Sequence, residues 1–93
     1  MSRVKVLIPT VLADSTGGQR VVQLDASTIE EALRRLVEQF GDAFAERVLD
    51  PSGAPRRFLN FYVNGRNTRL LQQFQTPLNE GDEIHILPAV SGG

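Results

Sequence analysis

Residues 28–40 read Thr-Ile-Glu-Glu-Ala-Leu-Arg-Arg-Leu-Val-Glu-Gln-Phe, the one long segment with a helical repeat. Ile29, Ala32, Leu33, Leu36, Val37 and Phe40 recur at i, i+3, i+4, i+7, i+8 and i+11, an apolar stripe on a single helix face. Thr28 suits the N-cap, and Glu31 three residues on predicts a capping box with its negative charge at the positive end of the dipole. Gly41 is the expected stop. The opposite face carries Glu30, Glu31, Arg34, Arg35 and Glu38, read as a solvated surface. A lone amphipathic helix needs a sheet to cover.

The strands lie on both sides of it. From Arg3 to Ile8, Val4, Val6 and Ile8 alternate with Lys5 and Leu7, which predicts a half-buried strand closed by Pro9. Asp14-Ser15-Thr16-Gly17-Gly18 reads as a turn, and Val21, Val22 and Leu24 as a returning strand. Ala43–Leu49 has room for one or two further helical turns, and Pro51–Pro55 for a loop. Phe58–Val63 alternates again and runs into Asn64-Gly65, a type I′ hairpin signal. Arg66–Leu70 is expected to return as a short strand, Leu71–Leu78 to be irregular, and Glu83 to about Val90 to form the last strand. The order ββαβββ predicts an α+β fold of the β-grasp, ubiquitin-like roll type, a mixed sheet of four to five strands under one main helix. A ferredoxin-like fold needs a second long helix, and Ala43–Leu49 is too short. The first and last strands are each buried on one face, so they are expected side by side in mid-sheet.

Composition closes off several functions. The 93 residues suit one domain, 1–93, with no deep substrate cavity. A net charge of −1, with acids and bases interspersed, lacks the basic footprint of nucleic-acid binding. No apolar run approaches the ~20 residues of a membrane span, and no signal-peptide core is seen. A cytoplasmic, monomeric, non-enzymatic protein is the simplest expectation. There is no cysteine, hence no thiol nucleophile, and His85 alone cannot build a metal site. Neither a metal nor a cofactor is expected.

What is left is the end of the chain. After Ile84, Ile86 and Leu87 the core pattern stops, and residues 88–93 read as an extended, flexible tail ending Ser91-Gly92-Gly93. Ala89–Gly93 can extend about 15 Å. Glycines without Cβ suit a tail that threads a narrow channel. Its carboxylate is a poor electrophile until an oxygen is joined to AMP; a sulfur nucleophile can then displace AMP and leave a thiocarboxylate. Such a terminus stores sulfur without a cysteine. Two terminal glycines alone are weak evidence. Gly17-Gly18, between two strands, is only a turn.

The hairpin Phe61-Tyr62-Val63-Asn64-Gly65, the approach Thr76-Pro77-Leu78 to Gly81-Asp82-Glu83 and the ending Ile86-Leu87-Pro88-Ala89-Val90-Ser91-Gly92-Gly93 resemble the ubiquitin-like sulfur carriers of the ThiS/MoaD family over the whole chain. Ile8-Pro9-Thr10, Gly17-Gly18-Gln19 and Leu49-Asp50-Pro51 are most similar to the CysO-type branch of cysteine biosynthesis. Ser91 departs from the small apolar residue of that pattern. The resemblance implies that Gly93 is the adenylation and thiocarboxylate site, with Gly92 and Ser91 giving access. It implies an E1-like, ATP-dependent adenylating and sulfur-transferring enzyme, a pyridoxal-phosphate cysteine synthase as acceptor, and a metallopeptidase that frees the product. Thiamine, molybdopterin and thiosugar pathways are alternative acceptors. A modifier joined to target lysines, a molybdopterin synthase subunit and a simple binding module are alternative roles.

Alternation puts Leu59, Phe61 and Val63 towards the helix, and Phe58 and Tyr62 away from it. Likewise Ile84 and Ile86 point in, His85 and Leu87 out. Phe58, Tyr62, His85 and Leu87, continued by Pro88 and Val90, form the expected partner patch beside the tail. Arg56, Arg57, Arg66 and Arg69 are a candidate steering cluster for an acidic surface, or ordinary solvated arginines.

Overall fold

The computed structural model describes residues 2–88. Five strands form one mixed sheet in the order β2-β1-β5-β3-β4: β1 Ser2–Leu7, β2 Val21–Ala26, β3 Leu59–Val63, β4 Arg66–Asn67 and β5 Glu83–Pro88. β1 pairs antiparallel with β2, from Ser2 opposite Ala26 to Leu7 opposite Val21. β1 and β5 run parallel in mid-sheet, Lys5 beside Glu83 and Leu7 beside His85. β3 returns antiparallel to β5, from Leu59 opposite Pro88 to Val63 opposite Ile84. This is the β-grasp roll.

Helix α1, Ile29–Phe40, covers one face. Ile29, Ala32, Leu33 and Leu36 meet Val4, Val6, Val22, Leu24, Phe61, Ile84 and Ile86 in a single core. Each large side chain buried there is worth roughly 1.5–3 kcal/mol. Thr28 caps α1, its Oγ1 accepting from the Glu31 N–H at 3.2 Å. The predicted capping box is only half made, because the Glu31 carboxylate accepts from the N–H and Oγ–H of Ser27 (2.7 and 3.0 Å). Thr28 is held in a β-bridge to Pro77, so the carboxylate meets the residue before it. Those bonds hold the Glu31 carboxyl below its ordinary range, the Ser27 backbone contact first.

A second helix, α2 (Asp42–Val48), starts directly after Gly41, which closes α1 at φ 79 by donating to the Val37 carbonyl. Phe44 and Val48 of α2 are wholly buried. At the hairpin, Asn64 (φ 51) and Gly65 (φ 86) both adopt the left-handed backbone that a type I′ turn requires. Asn64 also grips the last strand. Its Nδ2 donates to Asp82 Oδ1 (2.8 Å), and its Oδ1 accepts from the Glu83 N–H (2.9 Å).

Three stretches depart from expectation. Thr10–Thr16 is a 3₁₀ helix that buries Leu12, Ser15 and Thr16, and the turn narrows to Gly17-Gly18. The returning strand after the hairpin lasts two residues, because Thr68 turns inward and opens a 3₁₀ helix, Thr68–Leu70. Phe58 lies in a turn before β3, not on it.

Candidate functional site

The candidate site grows from one end of the sheet. β1 ends there at Leu7, β2 begins at Val21, β3 begins at Leu59 and β5 ends at Pro88. Pro88 can close the strand because a terminal position forgoes a ladder N–H. Ala89 to Gly93, and with them the predicted site residues Val90, Ser91, Gly92 and Gly93, lie outside the described residues.

The open face of the sheet, opposite α1, carries the side chains that alternate with the core. Tyr62 stands opposite His85, Asn60 opposite Leu87, and Leu7 flanks His85 on the other side. Tyr62, His85 and Pro88 are half-buried, and Leu87 is 45% exposed. Four predicted patch residues, Tyr62, His85, Leu87 and Pro88, therefore share two adjacent strands. Phe58 is the exception. The β alternation starts only at Leu59, so Phe58 does not stand in line with Tyr62; it lines a small hollow with Val11, Leu12, Arg47 and Arg56.

Two further apolar residues join this edge outside the strand alternation. Val11 and Val21 are half exposed, as are Phe58 and Leu87, and all four come from segments that meet at the end of the sheet where β5 finishes. Val21 showed its place in the sequence only as an apolar residue on the wrong side of its strand's alternation. Val11 had no signal, because a 3₁₀ helix has no long-range pattern to read.

Arginines surround this apolar rim. Arg20 Nε donates to the Ile8 carbonyl (2.8 Å), Arg47 Nη1 to that of Val11 (3.0 Å) and Arg56 Nε to that of Glu46 (3.0 Å). Among the described residues the ion pairs are Arg3–Asp25, Arg34–Glu30 and Arg35–Glu38, all on exposed surface away from this rim. Of the four arginines grouped in the sequence, Arg56, Arg57 and Arg69 do line one hollow. Arg66 follows the Asn64-Gly65 turn at the far end of β3 and stands apart.

Nearby, Asp50 Oδ1 accepts from the Ser52 N–H, the Ser52 hydroxyl and the Ala54 N–H. These bonds, the Ser52 hydroxyl first, hold its carboxyl below the ordinary range. That serves the loop, not chemistry. Among the described residues no three His, Asp or Glu side chains converge as a metal site, and no helix is long and apolar enough to cross a membrane.

A β-grasp sheet whose final described strand stops at Pro88 beside an apolar rim defines a ubiquitin-like protein. Residues 6–93 match the ThiS family, and the chain belongs to it. It is 39% identical over 92 residues to the sulfur carrier protein CysO of Mycobacterium tuberculosis, covering 97% of this chain and 98% of that one. The crystal structure of that CysO superposes with a TM-score of 0.84 at 38% identity, over 94% of this chain and 99% of the other. A CysO in complex with BexX, from Amycolatopsis orientalis, gives 0.83 at 33% identity over 97% and 99%. Small archaeal modifier protein 1 of Methanosarcina acetivorans gives 0.88 at 28% identity over 100% and 98%.

Proposed function

We propose that this protein is a sulfur carrier, used as a substrate by other enzymes, whose working group is the Gly93 carboxylate. One observation carries the reading: the family match runs through residue 93, directly beyond a final strand that ends among exposed apolar side chains. In the first step a Gly93 oxygen attacks the α-phosphorus of ATP and pyrophosphate leaves, forming an acyl-adenylate. In the second, hydrosulfide attacks the acyl carbon, a C–S bond forms, the C–O bond to AMP breaks and AMP departs. The thiocarboxylate that results is the better nucleophile. Gly92 and Ser91 let the tail enter a narrow active site, since neither carries a bulky side chain.

The partners that fit this chemistry are an E1-like adenylating and sulfur-transferring enzyme and a pyridoxal-phosphate cysteine synthase that takes the sulfur. A metallopeptidase would release the cysteine formed on the chain end. The likeness to CysO supports cysteine over thiamine, molybdopterin or thiosugars as the product. Leu87, Tyr62, His85 and Pro88 would seat the activating enzyme, with Phe58, Val11 and Val21 at the margin. The exposure of Leu87, Phe58, Val11 and Val21 around the end of β5 supports this role.

Intact-mass measurement tests the proposal. With the activating enzyme, ATP and a sulfide source, the expected mass gain is one oxygen replaced by sulfur, lost on deletion of Gly93. An unchanged mass, where a known carrier is converted, would sink it. The likeness to small archaeal modifier protein 1 favours one second reading, conjugation of Gly93 to lysines of other proteins. Isopeptide-linked ladders in cell extract, without a free thiocarboxylate, would decide for it.

A further inference from the structure

Strand β3 has an edge that the sheet leaves open. β4 pairs only with Tyr62 and Val63, so no strand lies beside Leu59, Asn60 and Phe61 on that side. The Asn64 N–H donates to the Glu83 carbonyl on the β5 side (2.9 Å). Antiparallel alternation then turns the N–H and C=O of Leu59 and Phe61 the other way, to the open edge. The Leu59 N–H donates locally to the Arg56 carbonyl (3.1 Å). Thr68, next in line to pair with Phe61, accepts instead from the Leu71 N–H at its carbonyl (2.9 Å). The Phe61 N–H and the Leu59 carbonyl are left without a strand partner.

An open cleft of about 290 Å³ lies at this edge, and its walls include Arg56, Arg57, Phe61, Thr68, Arg69 and Phe74. It is cationic. Among the described residues Arg56, Arg57 and Arg69 form no ion pair. Arg56 gives one N–H to the Glu46 carbonyl and Arg69 one to that of Arg57, the latter at a long 3.4 Å. Arg57 and Arg69 are both exposed. The Asp50 carboxylate of the preceding loop is engaged by Ser52 and Ala54.

An open strand edge accepts an extended chain through main-chain hydrogen bonds, and the flanking side chains select its sequence. Here the flanking groups are guanidinium donors, which match carboxylates. We propose that this edge receives an extended acidic segment of a partner protein, added as a strand opposite Leu59–Phe61 with its carboxylates on Arg57 and Arg69. The segment takes the line that β4 abandons where Thr68 turns inward. This docking edge is distinct from the Leu87 face and independent of the chemistry at the chain end.

The test titrates the free, ¹⁵N-labelled full-length chain at low salt with a short peptide of alternating valine and glutamate, capped at both ends. Amide shifts at Asn60, Phe61 and Arg69 are expected to saturate with a Kd below about 1 mM. An R57Q/R69Q double variant should bind about tenfold more weakly. The same peptide methylated at every backbone nitrogen should not bind the unaltered chain, which keeps the test decisive if the double variant folds poorly. A valine–lysine peptide should not bind either. No saturable shift, or equal binding of the methylated or lysine peptide, would overturn the proposal. So would shifts confined to Tyr62, His85 and Leu87. Shifts of these edge amides on simple dilution would assign the edge to a second copy, and tighter binding of an oligothymidylate there would assign it to nucleic acid; either result overturns the acidic partner segment.

Discussion

Pro88, the last residue of β5, stands opposite Leu59, the first residue of β3. The chain therefore leaves the sheet at a point flanked by exposed Leu87 on one face and by the Arg57 and Arg69 cleft at the neighbouring edge.

Leu87→Asp should leave the domain folded, because the side chain is already 45% exposed. It should weaken engagement by the activating enzyme about tenfold or more, since an unpaired carboxylate pressed against an apolar partner surface loses hydration at a cost above about 1 kcal/mol. Steady-state thiocarboxylation at varied carrier concentration separates the two effects: KM should rise while the urea midpoint stays. An unchanged KM would remove Leu87 from the docking surface.

Phe61→Ala should cost about 3–5 kcal/mol. Phe61 is only 4% exposed, between the sheet and α1, and meets the Phe74 ring edge-on at 5.7 Å. A domain of this size has roughly 5–15 kcal/mol in total, so the variant should be near its unfolding threshold at 37 °C. Urea denaturation followed by far-UV circular dichroism measures the loss.

Asn64→Ala should destabilise by about 1–2 kcal/mol. It removes both side-chain bonds to Asp82 and Glu83 and places a less tolerant residue at φ 51. Asn64→Gly, which keeps the backbone but loses the bonds, should recover part of that. Comparing the two by chemical denaturation divides conformational from hydrogen-bond effects.

Acid should weaken the fold through Glu31 and Asp50. Both carboxyls titrate below their ordinary values of 4.5 and 3.8 because native hydrogen bonds favour the ionised form. A depressed native pKa binds fewer protons than the unfolded chain, so stability is full above the ordinary value and falls as pH drops through the native one. The loss should begin below about pH 4.5. E31Q and D50N, compared with the wild type by urea midpoint from pH 7 to pH 3, should each flatten the decline. A slope unchanged in both would show that other carboxylates dominate.

The amino-acid sequence by itself determined the parts whose causes are local. α1 was legible because its stripe, its Thr28 cap and its Gly41 stop lie within one 14-residue window. The Asn64-Gly65 turn was legible because few residues tolerate φ > 0 twice in succession. The central pairing of β1 with β5 followed from two strands with one buried face each, and the ThiS/MoaD resemblance was carried by the hairpin and the ending. The tertiary structure alone decided how segments distant in sequence meet. Strand alternation could not place Phe58, because pairing with Pro88 starts one residue later, at Leu59. Val11 entered the rim only through a 3₁₀ helix that anchors Leu12 in the core. Arg56, Arg57 and Arg69 became one cleft and Arg66 left it because β4 lasts two residues before Thr68 turns inward, bringing Arg69 back beside Arg57. Periodicity and turn chemistry act over a few residues, whereas a site at the edge of a sheet depends on where strands stop.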